Sequence, residues 1–183
     1  GANPFPASTD FGSNMSGAKI RVFGRAASYD TGASLAIGDF DNDGNKDLVI
    51  GVPAAGGTAA NPRAFVGEVS VVWGPLVNNT QIDLAGTTGF YTLVGRDAGD
   101  EFGTKVAVGD VDGDGKADLV VSAPFANGPD RDPNINNNNQ RLAAGEVWIR
   151  YSLGTKPPAS PYEDLYTSPP TTNPPNTSVI WGA

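Results

Sequence analysis

The sequence predicts an all-β fold built from two repeated units. Three observations lead there. Short runs rich in β-branched and aromatic residues recur between Gly and Pro. No segment sustains the 3.6-residue apolar period of a helix, and Gly and Pro interrupt the chain too often for one. Residues 24–53 align without a gap with residues 95–124, at an offset of 71 residues. Repeats of so long a period indicate propellers, solenoids or arrays.

The first unit offers strands near 19–24, 33–38, 47–52 and 66–73. The second offers strands near 90–95, 104–109, 118–123 and 145–151. Between the second and third strand of each lies an acidic loop. Asp39-Phe40-Asp41-Asn42-Asp43-Gly44-Asn45-Lys46-Asp47 recurs as Asp110-Val111-Asp112-Gly113-Asp114-Gly115-Lys116-Ala117-Asp118. Asp stands at loop positions 1, 3, 5 and 9 in both copies, and Gly at position 6.

Alternating aspartates on a tight loop converge their oxygens. Two unit charges about 4 Å apart repel by roughly 4 kcal/mol at an effective dielectric near 20. A bound cation removes that repulsion, and hard divalent ions, above all Ca2+, favour oxygen ligands. Asp, Asn and Gly are also ordinary turn residues. Turn preference alone, however, does not require the spacing to repeat. Glycine at position 6 permits a sharp turn. Two Ca2+ sites are therefore expected. The first would use the side chains of Asp39, Asp41, Asp43 and Asp47 with the carbonyl of Asn45. The second would use Asp110, Asp112, Asp114 and Asp118 with the carbonyl of Lys116. The loops are not EF-hands: position 12 is Ile50 or Val121 where that motif needs Glu, and the flanks read as strands, not helices. Mg2+ is disfavoured because it rarely occupies all-protein cages.

The net charge is −8, and the eight loop aspartates account for all of it. The acidity is local. No basic face is left for nucleic acid, which needs one.

The repeat extends beyond the loop. After an insertion, Val66-Gly67-Glu68-Val69 matches Ala144-Gly145-Glu146-Val147. Ser178-Val179-Ile180-Trp181-Gly182 is similar to Thr92-Leu93-Val94-Gly95 and reads as the start of a third unit. The pattern resembles the FG-GAP repeat of integrin α-subunit propellers and bacterial surface proteins. Phe102-Gly103 supplies the "FG" and Ser122-Ala123-Pro124 stands where "GAP" is expected. The first copy departs mildly, with Thr31-Gly32 and Gly51-Val52-Pro53. The resemblance covers most of residues 19–75 and 90–152. It implies β-propeller-type blades of four antiparallel strands, each acidic loop holding structural Ca2+. Two repeats would be full and a third only begun. Some FG-GAP proteins are phospholipases, but their catalytic parts lie elsewhere.

The expected organisation is a first repeat over 1–75, a second over 76–153, a Pro/Ser/Thr-rich linker over 154–177, and an orphan strand at 178–183. That strand would start a third repeat or pair with a neighbour. Propellers usually need about four to eight blades to close. Two blades alone leave open edges. The chain is thus expected to be part of a longer one, to pack its blades as a sandwich, or to assemble with copies of itself by strand addition. Trp73, Trp148 and Trp181 read as packing residues at repeat-equivalent positions rather than as sugar platforms.

The chain has no Cys and no His. That removes disulfides, thiol nucleophiles, thiolate zinc sites and the commonest general base. No catalytic residue is expected, and the chain is read as no enzyme. No run reaches the roughly 18 apolar residues of a membrane span. The start Gly1-Ala2-Asn3-Pro4 has no charged n-region or apolar h-region and suits a processed chain. Low-affinity Ca2+ sites suit extracellular modules, so the expected place is outside the cell or on its surface. Sequons at Asn14, Asn78 and Asn176 are candidate glycosylation sites, and the linker suits O-glycans. The Asn-rich loop 125–143 reads as an exposed insertion. The function expected first is a calcium-stabilised adhesion or recognition module, with a protein or glycan ligand. The second is a self-assembling, glycosylated surface fibre completed by strand exchange, and the third an accessory domain of an enzyme.

Overall fold

A computed structural model describes residues 20–127, 142–152, 162–165 and 177–181. It is all-β, with no α-helix among the described residues. The strands are β1 (Arg21–Phe23), β2 (Ser34–Gly38), β3 (Asp47–Val52), β4 (Gly57–Thr58), β5 (Asn61–Pro62), β6 (Glu68–Val72) and β7 (Gln81–Asp83). They continue as β8 (Phe90–Val94), β9 (Lys105–Gly109), β10 (Asp118–Ala123), β11 (Glu146–Arg150), β12 (Tyr162–Asp164) and β13 (Thr177–Trp181).

Two antiparallel meanders form the blades. The first sheet runs β12-β8-β6-β3-β2 and the second β13-β11-β10-β9. Strands β2, β3, β6 and β8 correspond one for one to β9, β10, β11 and β13. The propeller is partial and not closed.

The blade boundaries differ from those expected. The segment at 90–95, assigned from sequence to the second unit, is the fourth strand of the first sheet. The segment at 19–24, assigned to the first unit's sheet, instead pairs β1 in parallel with β7. The tail strand is not left orphaned: β13 pairs antiparallel with β11 of the same chain, Val147 opposite Ile180. Its similarity to β8 goes with an equivalent place in the sheet order, β13 beside β11 as β8 lies beside β6. The linker also contains a strand, β12, seated in parallel on β8. Apart from residues 162–165 and Thr177 at the start of β13, the linker lies outside the described residues, as do Asn14, Asn176 and most of the 125–143 loop.

The main core lies between the sheets. Val49, Val69, Val71, Tyr91 and Leu93 of the first sheet meet Phe102, Leu119, Val121, Ala123 and Trp148. Each fully buried Val, Leu or Phe among them contributes roughly 1.5–3 kcal/mol. The far face of the first sheet is buried too. Ile50, Val52, Val72 and Phe90 lie under Val22, Leu76, Ile82 and Tyr162. Burial on both faces explains why β3, β6 and β8 are largely apolar, and the buried Ser70 and Thr92 hydroxyls that interrupt them bond each other at 2.8 Å. Trp148 meets Phe102 edge-on at 6.1 Å and Trp73 stacks on Tyr91 at 6.4 Å, so these two tryptophans pack rather than present platforms.

Close backbone approach joins the blades. Gly67 bridges Phe102, and Ser34 Oγ accepts the Val106 amide at 3.0 Å. A side chain at Gly51 would land on the Gly103 carbonyl oxygen.

Candidate metal centre

Each acidic loop joins the first strand of a blade to the second: β2 to β3, and β9 to β10. The turn needs left-handed backbone at positions 4 and 6. Asn42 (φ 59°) and Gly44 (φ 87°) supply it in the first loop, Gly113 (φ 82°) and Gly115 (φ 85°) in the second. Gly and Asn reach that region at lowest cost. Position 6 was legible in the sequence. Position 4 was not singled out there, although Asn and Gly are its signature.

The carboxylates bind the loop's own amides. Asp39 accepts Asp43 N and Gly44 N, both at 3.0 Å. Asp110 accepts Gly113 N at 2.7 Å and Gly115 N at 2.9 Å. Asp41 and Asp112 each accept the position-5 amide, at 3.2 and 3.1 Å. This network turns the oxygens toward one another. Asp39, Asp41 and Asp43 bring carboxylate oxygens within 4.8 Å of one another, and so do Asp110, Asp112 and Asp118. Both triples offer only hard oxygen donors, the set that a divalent cation such as Ca2+ favours.

The two loops differ in their third member. In the second, Lys116 Nζ donates to Asp114 Oδ2 at 2.9 Å and its amide to Oδ1 at 2.9 Å. Those hydrogen bonds hold the Asp114 carboxyl below the usual carboxylate range. Asp114 stands outside the second triple. In the first loop, Asn45 stands at that position and donates its amide to Asp43 Oδ1 at 2.8 Å.

Asp47 stands outside the first triple. It is buried, and both of its oxygens accept backbone amides: Phe40 N at 2.8 Å and Gly74 N at 2.9 Å. Asp118 makes the matching pair, Val111 N at 2.8 Å and Ser152 N at 3.0 Å. The position-9 aspartate therefore fastens its loop to the end of the blade's third strand.

The match to known proteins follows the same two stretches. The family model described as FG-GAP repeat matches residues 31–72 and 102–149. The chain carries two FG-GAP repeats.

Among similar proteins, integrin alpha-PS2 of Drosophila melanogaster is 34% identical over 99 residues, covering 54% of this chain and 6% of that protein. Phosphatidylinositol-glycan-specific phospholipase D of Rattus norvegicus is 34% identical over 97 residues, covering 53% of this chain and 11% of that protein. Integrin alpha-V of Gallus gallus is 34% identical over 94 residues, covering 51% and 7%. The chain thus spans only a small part of the length of these relatives.

Within the FG-GAP repeats, Phe102 of the "FG" pair is a buried core residue and Gly103 takes φ 92°. A further repeated pair was missed from sequence. Arg25 bonds Glu68, and Arg96 Nη2 reaches Glu146 Oε1 at 2.9 Å. All four residues stand in the aligned repeat, which was the available signal. Burial pushes the Glu68 carboxyl up to about 7, although Arg25 opposes the shift. Burial, with Asp97 and Glu146 nearby, likewise raises Asp100 to about 7. Among the described residues no helix is long and apolar enough to cross a membrane. Asn78 lies exposed on the turn before β7.

Proposed function

We propose that this chain is an extracellular calcium-binding FG-GAP module with a non-catalytic role in adhesion or recognition. One observation carries the reading: two loops of matching spacing each gather three carboxylates within 4.8 Å. Asp39, Asp41 and Asp43, with the Asn45 carbonyl, would hold one Ca2+. Asp110, Asp112 and Asp118, with the Lys116 carbonyl, would hold the other, and Asp47 and Asp114 complete the proposed sets. A bound ion would supply charge neutralisation and stiffen each hairpin. The chain's lack of His and Cys supports the non-catalytic role. The integrin and phospholipase relatives support a place at or outside the cell surface. Melting in Ca2+ and in chelator tests the reading. Ligand at a hundred times its Kd stabilises the folded state by about 2.7 kcal/mol. An unchanged melting temperature on chelation would refute it.

A second reading, a subunit that assembles with further blades or copies of itself into a surface fibre, has its own support. Leu35 and Ile37 of β2 are 60% and 70% exposed. Their repeat equivalents in β9, Val106 and Val108, pack against the core between the blades. A cleft of about 470 Å³ lined by Ile20, Val22, Ile37, Leu48, Pro75 and Leu76 continues the exposed patch. The first blade thus presents the face that the second blade buries. Light scattering on the native chain and on Ile37→Asp tests this reading: the substitution should reduce the particle to monomer mass, and a native chain that is itself monomeric contradicts it.

A further inference from the structure

Strand β12 does not belong to the repeat. It comes from the Pro-rich stretch and lies parallel on β8 in a sheet whose other pairings are antiparallel. The second sheet shows no fifth strand among the described residues. Four consecutive residues of this segment are each read by a different group on the blades.

Tyr162 sets its ring edge-on to Phe90 at 6.3 Å and donates its hydroxyl to the Leu84 carbonyl at 3.2 Å. Glu163 accepts from the Tyr91 hydroxyl and from Arg150 Nη2, the latter at 2.9 Å. Asp164 takes the Arg63 guanidinium through both oxygens, at 2.6 and 3.2 Å. Arg63 is itself fixed by the Gly95 carbonyl at 2.8 Å. Leu165 is buried in a slot formed by Leu93, Phe102, Val121 and Trp148. The ladder register places Glu163 opposite Leu93. Backbone pairing gives such a site its grip, and alternate side-chain pockets give it selectivity. Bidentate arginine adds geometric discrimination for a carboxylate.

We propose that the outer edge of β8, with Arg63, Arg150 and the Leu165 slot, is a binding site for an extended acidic peptide of the pattern aromatic–acid–acid–aliphatic. In this chain it is filled by the protein's own Tyr162-Glu163-Asp164-Leu165. The resident segment is tethered, so it competes at the millimolar effective concentration of a short linker. A partner peptide enters when the resident is weakened or drawn away. None of these contacts uses a residue of either acidic loop, so occupancy should not depend on Ca2+.

The test uses the full chain and a fluorescent peptide spanning residues 161–166, read by anisotropy with and without chelator. The variant Glu163→Ala/Asp164→Ala should bind the peptide at least tenfold more tightly than the native chain. Adding Arg63→Gln should remove at least tenfold of that gain, and a peptide with Gln and Asn in place of the two acids should not bind. Leu165→Ala, which keeps both arginine pairs, should shift affinity in the same direction as the double variant and guards against a variant that fails to fold. The proposal is overturned if the folded variants bind the peptide no better than the native chain, or if Arg63→Gln leaves binding unchanged.

Discussion

Asp47 Oδ1 accepts the Gly74 amide at 2.9 Å while its Oδ2 accepts the Phe40 amide at 2.8 Å. One buried carboxylate thus ties three chain segments together: the acidic loop, the start of β3 and the turn after β6. Asp118 repeats the arrangement with Val111 and Ser152. Spacing alone makes position 9 look like one more metal ligand. Geometry adds a fastening role that holds with or without an ion.

That role separates two kinds of aspartate. Removing the Asp47 side chain leaves two amides without their acceptor, at roughly 1–3 kcal/mol for each buried group. Asp47→Ala should therefore lose about 2–6 kcal/mol of stability by urea unfolding, even in chelator. Asp43→Asn should change little in chelator and should lose stability only in Ca2+. If Asp47→Ala is neutral in chelator, the fastening role is wrong.

The buried acids set a pH trend opposite to that of an ordinary ion pair. Glu68 rises from 4.5 to about 7 and Asp100 from 3.8 to about 7 on folding. Between these values the folded chain holds more protons than the unfolded one. Unfolding free energy from this source is fully present below the unfolded pKa values and falls as pH rises toward 7. Each group contributes on the order of 3–4 kcal/mol between its unfolded and folded values. In chelator, stability should decline from pH 4.5 to 7.5, and Glu68→Gln with Asp100→Asn should flatten the decline. Unfolding curves at several pH values measure it, and a slope that the two substitutions leave intact contradicts the assignment.

The joint between the blades depends on a missing side chain. Gly51 has an ordinary backbone conformation, yet a Cβ there would collide with the Gly103 carbonyl oxygen. Gly51→Ala should destabilise by about 1–3 kcal/mol through overpacking. Gly44 is the opposite case, with φ 87° and open space around it. Gly44→Ala should cost roughly 1–2 kcal/mol of backbone strain and leave the joint intact. Hydrogen exchange at the Val106 amide distinguishes them: Gly51→Ala should speed it and Gly44→Ala should not.

Much of this architecture was legible because two signals repeat. The alternation in β2 and β9 and the runs in β3 and β10 mark strands by local composition. The nine-residue spacing marks the loops that join them. The blade boundary was not legible, because β8 joins β6 through a pairing that no local pattern encodes. Its similarity to residues 178–182 was visible, but only the sheet order shows that both segments are fourth strands. Strand β12 spans three residues in a Pro-rich stretch, too short for any periodicity. At the candidate site, Asp47 and Asp118 share one spacing, yet only Asp118 joins a triple. Lys116 on Asp114 is the visible difference between the loops. Arg25 with Glu68 and Arg96 with Glu146 stood in the aligned repeats, but nothing in the sequence fixed their distance.

Calorimetric titration of the decalcified chain with Ca2+ tests the central claim most directly. The two carboxylate triples predict two bound ions per chain, falling to one in Asp41→Ala and to one in Asp112→Ala. Titration that yields no heat, with direct dialysis finding no retained Ca2+, would contradict it.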